Sequence, residues 1–162
     1  MTESPPEAAS LPDDRLILRV LTLCDHAAGP PDGKLYINGA GVDQMFIQAI
    51  PGALGPLWLA ARVRVPWNMT SEEIRIGLRV LDADRVPLVQ DPLLEIPAEV
   101  GRPPGLRAGD ELGINLAIAV GGLPVKQEGT IYFHLVVSGE TLGILPLRVR
   151  RLQQTMVGIV GP

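Results

Sequence analysis

The chain has 162 residues, 46% of them hydrophobic, and a formal net charge of −4. That composition excludes a disordered chain and suffices for one domain with a sizeable core. Residues 1–14 hold Glu3, Glu7, Asp13 and Asp14 and no base, which leaves 14 acids facing 14 bases from Arg15 onward. A neutral body lacks the basic footprint of a general nucleic-acid binder, so no nucleic-acid partner is expected.

A single cysteine excludes an intramolecular disulfide and a cysteine zinc site. The N-terminus has neither a basic start nor an apolar h-region, and no apolar run nears the roughly 20 residues that span a bilayer. The expectation is a cytoplasmic protein with no membrane partner. Twelve of the 14 bases are Arg, as a GC-rich bacterial coding bias produces.

Residues 1–14, rich in Pro and Glu, read as a disordered tail. Arg15 to Cys24 is the first strand, apolar on both faces as a central strand is. Asp25 to Gly33 is a turn, with Asp25 as its starter, and Lys34 to Ile47 a second strand with a bulge at Gly39-Ala40-Gly41. Leu57 to Val65 alternates cleanly: Leu57, Leu59, Ala61, Val63 and Val65 take one face, Arg62 and Arg64 the other. Thr70-Ser71-Glu72-Glu73 has the pattern of a cap on one helical turn.

Ile74 to Leu81 is the fourth strand, with Arg75 and Arg79 outward. Val86 to Ile96 is a fifth, demoted to a sheet edge by Pro87 and Pro92. After a long loop from Ala98 to Asp110, Leu112 to Val120 carries Leu and Ile on one face and Gly113, Asn115, Ala117 and Ala119 on the other. Thr130 to Val137 and Leu142 to Arg151 form a hairpin about Ser138-Gly139-Glu140-Thr141. Residues 152–162 are a tail or one more strand.

Gly and Pro together make 34 residues and fall between the apolar runs, which punctuates a chain of short strands. The expected fold is all-β: a two-sheet antiparallel sandwich of about eight strands over residues 15–151, immunoglobulin-like in the broad sense. Leu59, Val63, Ile76, Leu78, Leu116, Ile118, Phe133 and Leu135 should share one core.

Cys24-Asp25-His26-Ala27, followed by Gly33-Lys34-Leu35-Tyr36-Ile37-Asn38-Gly39-Ala40-Gly41, resembles the opening of an uncharacterised bacterial β-sandwich family. Its members begin with a strand, an Asp-x-Ala step and a Gly-Lys-Leu-x-Ile-x-Gly-Ala-Gly strand. Gly129-Thr130-Ile131-Tyr132-Phe133 through Ser138-Gly139-Glu140 resembles that family's late strand and hairpin, so the likeness spans most of residues 15–150. It implies a fold and carries no activity, cofactor or catalytic residue.

Cys24-Asp25-His26 offers a thiol, a carboxylate and an imidazole, the groups of a nucleophilic site. Consecutive strand residues point to opposite faces, so the three cannot converge, and no catalytic residue is expected. Asp82 and Asp84, with Asp91 or Asp25, could approach a rim calcium site, but hard cations need six or more oxygens and Asp is the ordinary turn residue. Two histidines, His26 and His134, cannot make a multi-histidine metal site. Gly39-Ala40-Gly41 stands within a strand, where a bulge is expected and no phosphate cradle. No metal and no cofactor are therefore expected.

One charged feature remains. If the strands Leu57–Val65 and Ile74–Leu81 pair as a hairpin, Arg62, Arg64, Arg75 and Arg79 share one surface with Trp58. Exposed Trp beside Arg is the composition of an interaction hot spot. The expected function is a non-catalytic structural or protein-interaction module, partnered by another protein or by copies of itself through an outer sheet face. Few lysines to blunt its edges and the apolar Met156, Val157, Ile159 and Val160 favour self-association. A domain for an anionic or sugar-like ligand and a small hydrolase of unrecognised residues stay open as alternatives.

Overall fold

The computed structural model describes residues 15–105, 107, 110 and 112–153. Eleven strands follow one another: β1 (Ile17–Ala28), β2 (Tyr36–Ala40), β3 (Gln44–Ile47), β4 (Gly52–Ala53), β5 (Trp58–Val65), β6 (Glu73–Leu81), β7 (Leu94–Glu99), β8 (Leu112–Ala119), β9 (Pro124–Val125), β10 (Gly129–Val137) and β11 (Glu140–Arg151). One sheet has the order β2-β1-β5-β8 and the other β3-β11-β10-β6-β7, while β4 and β9 make a small ribbon. The fold is the expected all-β sandwich, with three strands more than the period-two runs suggest. One pair, β3 with β11, is parallel.

Period two explains the core. From Leu57, just before β5, to Val65 every second residue is buried, and Ile74, Ile76, Leu78 and Val80 of β6 and Ile131, Phe133, Leu135 and Val137 of β10 match them from the other sheet. Seven of the eight residues expected in one core are buried there, and Ile118 packs against it from its edge strand half-buried.

The chain changes sheets where the sequence suggested continuity. The strand expected over Lys34–Ile47 is two strands in two sheets. Gly41, at φ 91, donates its N–H to the Leu23 carbonyl and lets the backbone leave β2 for β3. The hairpin expected between β5 and β6 does not form, because these strands belong to opposite sheets. Pro66 is extended, and a single 3-10 turn, Trp67–Met69, carries the chain across. Thr70 ends that turn, its hydroxyl donating to the Trp67 carbonyl at 2.6 Å, so it does not cap a following helix.

The expected fifth strand also shifts. β7 starts at Leu94, while residues 86–93 follow β6 irregularly, with Leu88 N–H on the Val80 carbonyl and Leu93 N–H on the Leu78 carbonyl. β7 is a sheet edge, as its prolines implied. Asp25 starts no turn, since β1 runs on to Ala28 with Asp25 opposite Gly39.

β1 packs on β11 across the interior, and only residues 41–43 separate β2 from β3. The sheets are therefore stacked with β2 and β3 closing one flank, β8 and β7 the other. The expectation for the N-terminal tail falls on residues 1–14, outside the described residues, and that for residues 152–162 lies outside them too apart from Leu152 and Gln153, which extend no strand. Within those described, no helix is long and apolar enough to cross a membrane.

Candidate interaction surfaces

The residues singled out in the sequence divide between two faces. Trp58, Arg62 and Arg64 lie on the outer face of the four-stranded sheet, and Arg75 and Arg79 on that of the five-stranded sheet. The shared arginine surface required a β5–β6 hairpin, so the structure does not bring these five residues together.

On the four-stranded sheet the β1–β2 loop folds over the outer face. The Gly33 carbonyl accepts from Arg62 Nη1 at 3.3 Å and from Asn115 Nδ2 at 2.9 Å, and Arg62 Nη1 also donates to Asn115 Oδ1 at 2.7 Å. Gly113 gives that guanidinium its seat, since a Cβ there would stand 3.1 Å from it. Arg64 is buried, and Trp58 lies against the His26 ring, centroids 4.9 Å apart. Gly113 and Asn115, on the small-residue side of β8, thus serve the molecule's own loop.

Beneath this roof Cys24, Ala27 and Ala60 form a second buried cluster. The Cys24 thiol is 3.6 Å from the Trp58 carbonyl. Burial, and then the Asp25 carboxylate, push its pKa above the ordinary thiol value, opposite to what a nucleophile needs. Cys24 and His26 share a face and Asp25 takes the other, so the three groups do not converge.

On the five-stranded sheet, acids hold the two arginines named from sequence. Arg75 meets Glu73 and Glu95 at 3.4 and 3.2 Å, and Arg79 binds Asp91 through two hydrogen bonds of 2.8 and 2.6 Å. The pairing holds the Asp91 carboxyl below its ordinary pKa. Arg85 lies 4.6 Å over the Tyr132 ring, and beside it His134 is buried on β10. Burial first, then the charges of Arg85 and Arg79, lower the His134 pKa against the opposing pull of Asp91.

The 82–93 segment also accounts for the acids considered as calcium ligands. Asp82 Oδ1 accepts from the N–H of Asp84 and of Val86, both at 2.9 Å, as a turn-forming Asp does. Among the described residues no three His, Cys, Asp or Glu side chains gather to hold a metal.

The rest of this face escaped the sequence. Ile144, Pro146, Arg148 and Arg150 line the outward row of β11, beside Gln44 and Phe46 of β3 and Thr130, Tyr132 and His134 of β10. Phe46 is 53% exposed and Ile144 45%. Period two in Leu142–Arg151 could have revealed the β11 row, but nothing local signals that β3 lies beside it. Asp43, Gln44, Thr130, Tyr132, Pro146 and Arg148 also line an open cleft of about 350 Å³.

A model of a family of unknown function, DUF6941, matches residues 19–150. No curated protein and no solved structure matches the chain.

Proposed function

We propose that this chain, which belongs to DUF6941, a family of unknown function, is a non-catalytic protein-interaction module that takes an acidic, partly apolar segment of another protein on the outer face of its five-stranded sheet. The observation that carries this reading is the patch of Phe46, Ile144, Pro146, Arg148 and Arg150, where large apolar side chains stand exposed beside arginines. Apolar contact area rimmed by Arg is the composition of binding hot spots. Acids hold Arg75 and Arg79 nearby, whereas no carboxylate among the described residues forms a salt bridge with Arg148 or Arg150. An acidic partner would supply that charge.

The test is quantitative capture from the native host, comparing the natural chain with the double variant Phe46→Ser, Arg148→Glu at equal folded concentration. The expected result is one protein, with acids at its contact segment, retained by the natural chain and lost with the variant. Identical capture by both chains would overturn the reading.

The cleft beside Arg148 favours a second reading, an anionic small ligand held by Arg148, Thr130 and Tyr132. Saturable binding of a small carboxylate or phosphate, abolished by Arg148→Glu but indifferent to Phe46→Ser, would select it.

A further inference from the structure

Among the described residues the sandwich presents four strand edges, and three of them are blunted. β2 has five residues with Gly39 at φ 65 inside it, and β3 has four. β7 carries Pro97, which has no N–H to offer, between Glu95 and Glu99. β8 differs. Its eight residues, LGINLAIA, include no proline and no charge, and among the described residues its backbone pairs with β5 alone. Residues 99–103 flank its first three positions and the β1–β2 loop touches Asn115, which leaves Leu116–Ala119 as the open run among the described residues.

Core side chains are also only partly covered on this flank. Ile114 and Ile118 belong to the inward row of β8 yet are only half-buried, and Ile96, in the inward row of β7, is 42% exposed. An added strand would supply hydrogen bonds to the edge and cover for these side chains together.

We infer that β8 pairs antiparallel with β8 of a second copy of this chain, joining two four-stranded sheets into one continuous sheet. Self-complementarity selects this occupant. All four inward residues of β8 are Leu or Ile, and its outward residues are Gly, Asn and Ala. Any antiparallel register that keeps inward residues inward therefore sets like rows against like, with no charge opposite another. A two-fold axis through the strand closes such a contact as a dimer. The open run is short, so the interface belongs to the small class, below about 1,200 Å². This contact is separate from the patch around Phe46 and does not depend on that patch having a partner.

Sedimentation velocity of the full chain, up to about 100 µM, together with two single variants, tests the inference. The natural chain should reach a dimer. Ala119→Lys and Ile118→Lys, which each put a lysine from both copies into the seam, should each weaken dimerisation about tenfold or more. Should a lysine variant fail to fold, single cysteines at Ala117, Ile118 and Ala119 in a Cys24→Ser background decide instead. Oxidative cross-linking should vary along the run, strongest at the position nearest the axis. A natural chain that stays monomeric, or a dimer that neither lysine weakens and no cysteine in 117–119 cross-links, would overturn the inference. Phe46→Ser should leave the dimer intact, so failure here is distinct from failure of the partner face.

Discussion

Gly143→Ala sets two opposing effects against each other, and the packing of the two sheets decides the sign. In a strand interior, alanine is favoured over glycine by about 0.5–1 kcal/mol, because glycine loses more freedom on folding. Gly143 faces inward on β11, opposite Leu135. The register of β1 slips between Leu18 and Val20, so Leu18 and Leu21 both fall opposite inward residues of β5, Val63 and Ala61. Both leucines close on the glycine: a Cβ at Gly143 would stand 2.6 Å from Cδ2 of each. Moving two packed leucines off their rotamers costs about 1–3 kcal/mol. The net expectation is a loss of up to about 2.5 kcal/mol, or a fall of up to about 10 °C in Tm for a domain of this size. Urea unfolding measures it as a lower midpoint at unchanged m. In a Leu21→Ala background much of the penalty should vanish, giving a coupling of order 1 kcal/mol. If Gly143→Ala instead raises the midpoint of the otherwise natural chain, the inter-sheet contact is not tight and the reasoning fails.

Leu116→Ala, at a position 5% exposed in the core, should cost about 2–5 kcal/mol by urea unfolding. Asp82→Ala removes the acceptor of two backbone N–H groups and should cost about 1 kcal/mol, whereas Asp82→Asn, which keeps an oxygen acceptor, should cost less. Calcium should leave the melting temperature of the natural chain and of both Asp82 variants unchanged. For pH, the His134 imidazole titrates in the fold below its ordinary value of 6.5. The unfolded chain therefore takes up this proton first, and stability falls as pH drops below that value until the folded group titrates as well. Asp91, lowered by Arg79, adds loss at more acidic pH, through and below the ordinary carboxylate range. His134→Gln should flatten the higher window alone in a series of melts against pH.

The strands with strict alternation were legible in the sequence: β5, β6, β8, β10 and β11 lie close to where their period-two runs placed them, because burial on one face selects residue type directly. Sheet membership was not. Pro66 to Thr70 could close a hairpin or cross the sandwich, and only the core on the far side decides. Glycines that suggest a bulge within one strand instead mark the exit from one sheet to the other at Gly41. The same gap hid the patch around Phe46, whose composition appears only when β3 is set beside a strand some hundred residues later. It also produced the arginine face: Arg62 and Arg75 carry the right alternation for outward residues, but of two different sheets.

The parallel pairing of Gln44–Ile47 with Arg148–Arg151 has a consequence for the chain as it leaves the ribosome. At about 5–20 residues per second, translation from Ile47 to Arg151 takes of order 5–20 s. Throughout that interval β3 has no partner, and β10, once made, waits for β11 to cover its side. The five-stranded sheet therefore closes only after β11 has been made, and the nascent chain meanwhile holds bare strand edges of the kind chaperones protect. A transcript cut short before β11 should yield a polypeptide that aggregates or is degraded, and low expression temperature should favour soluble product by slowing the competing association of unfinished chains.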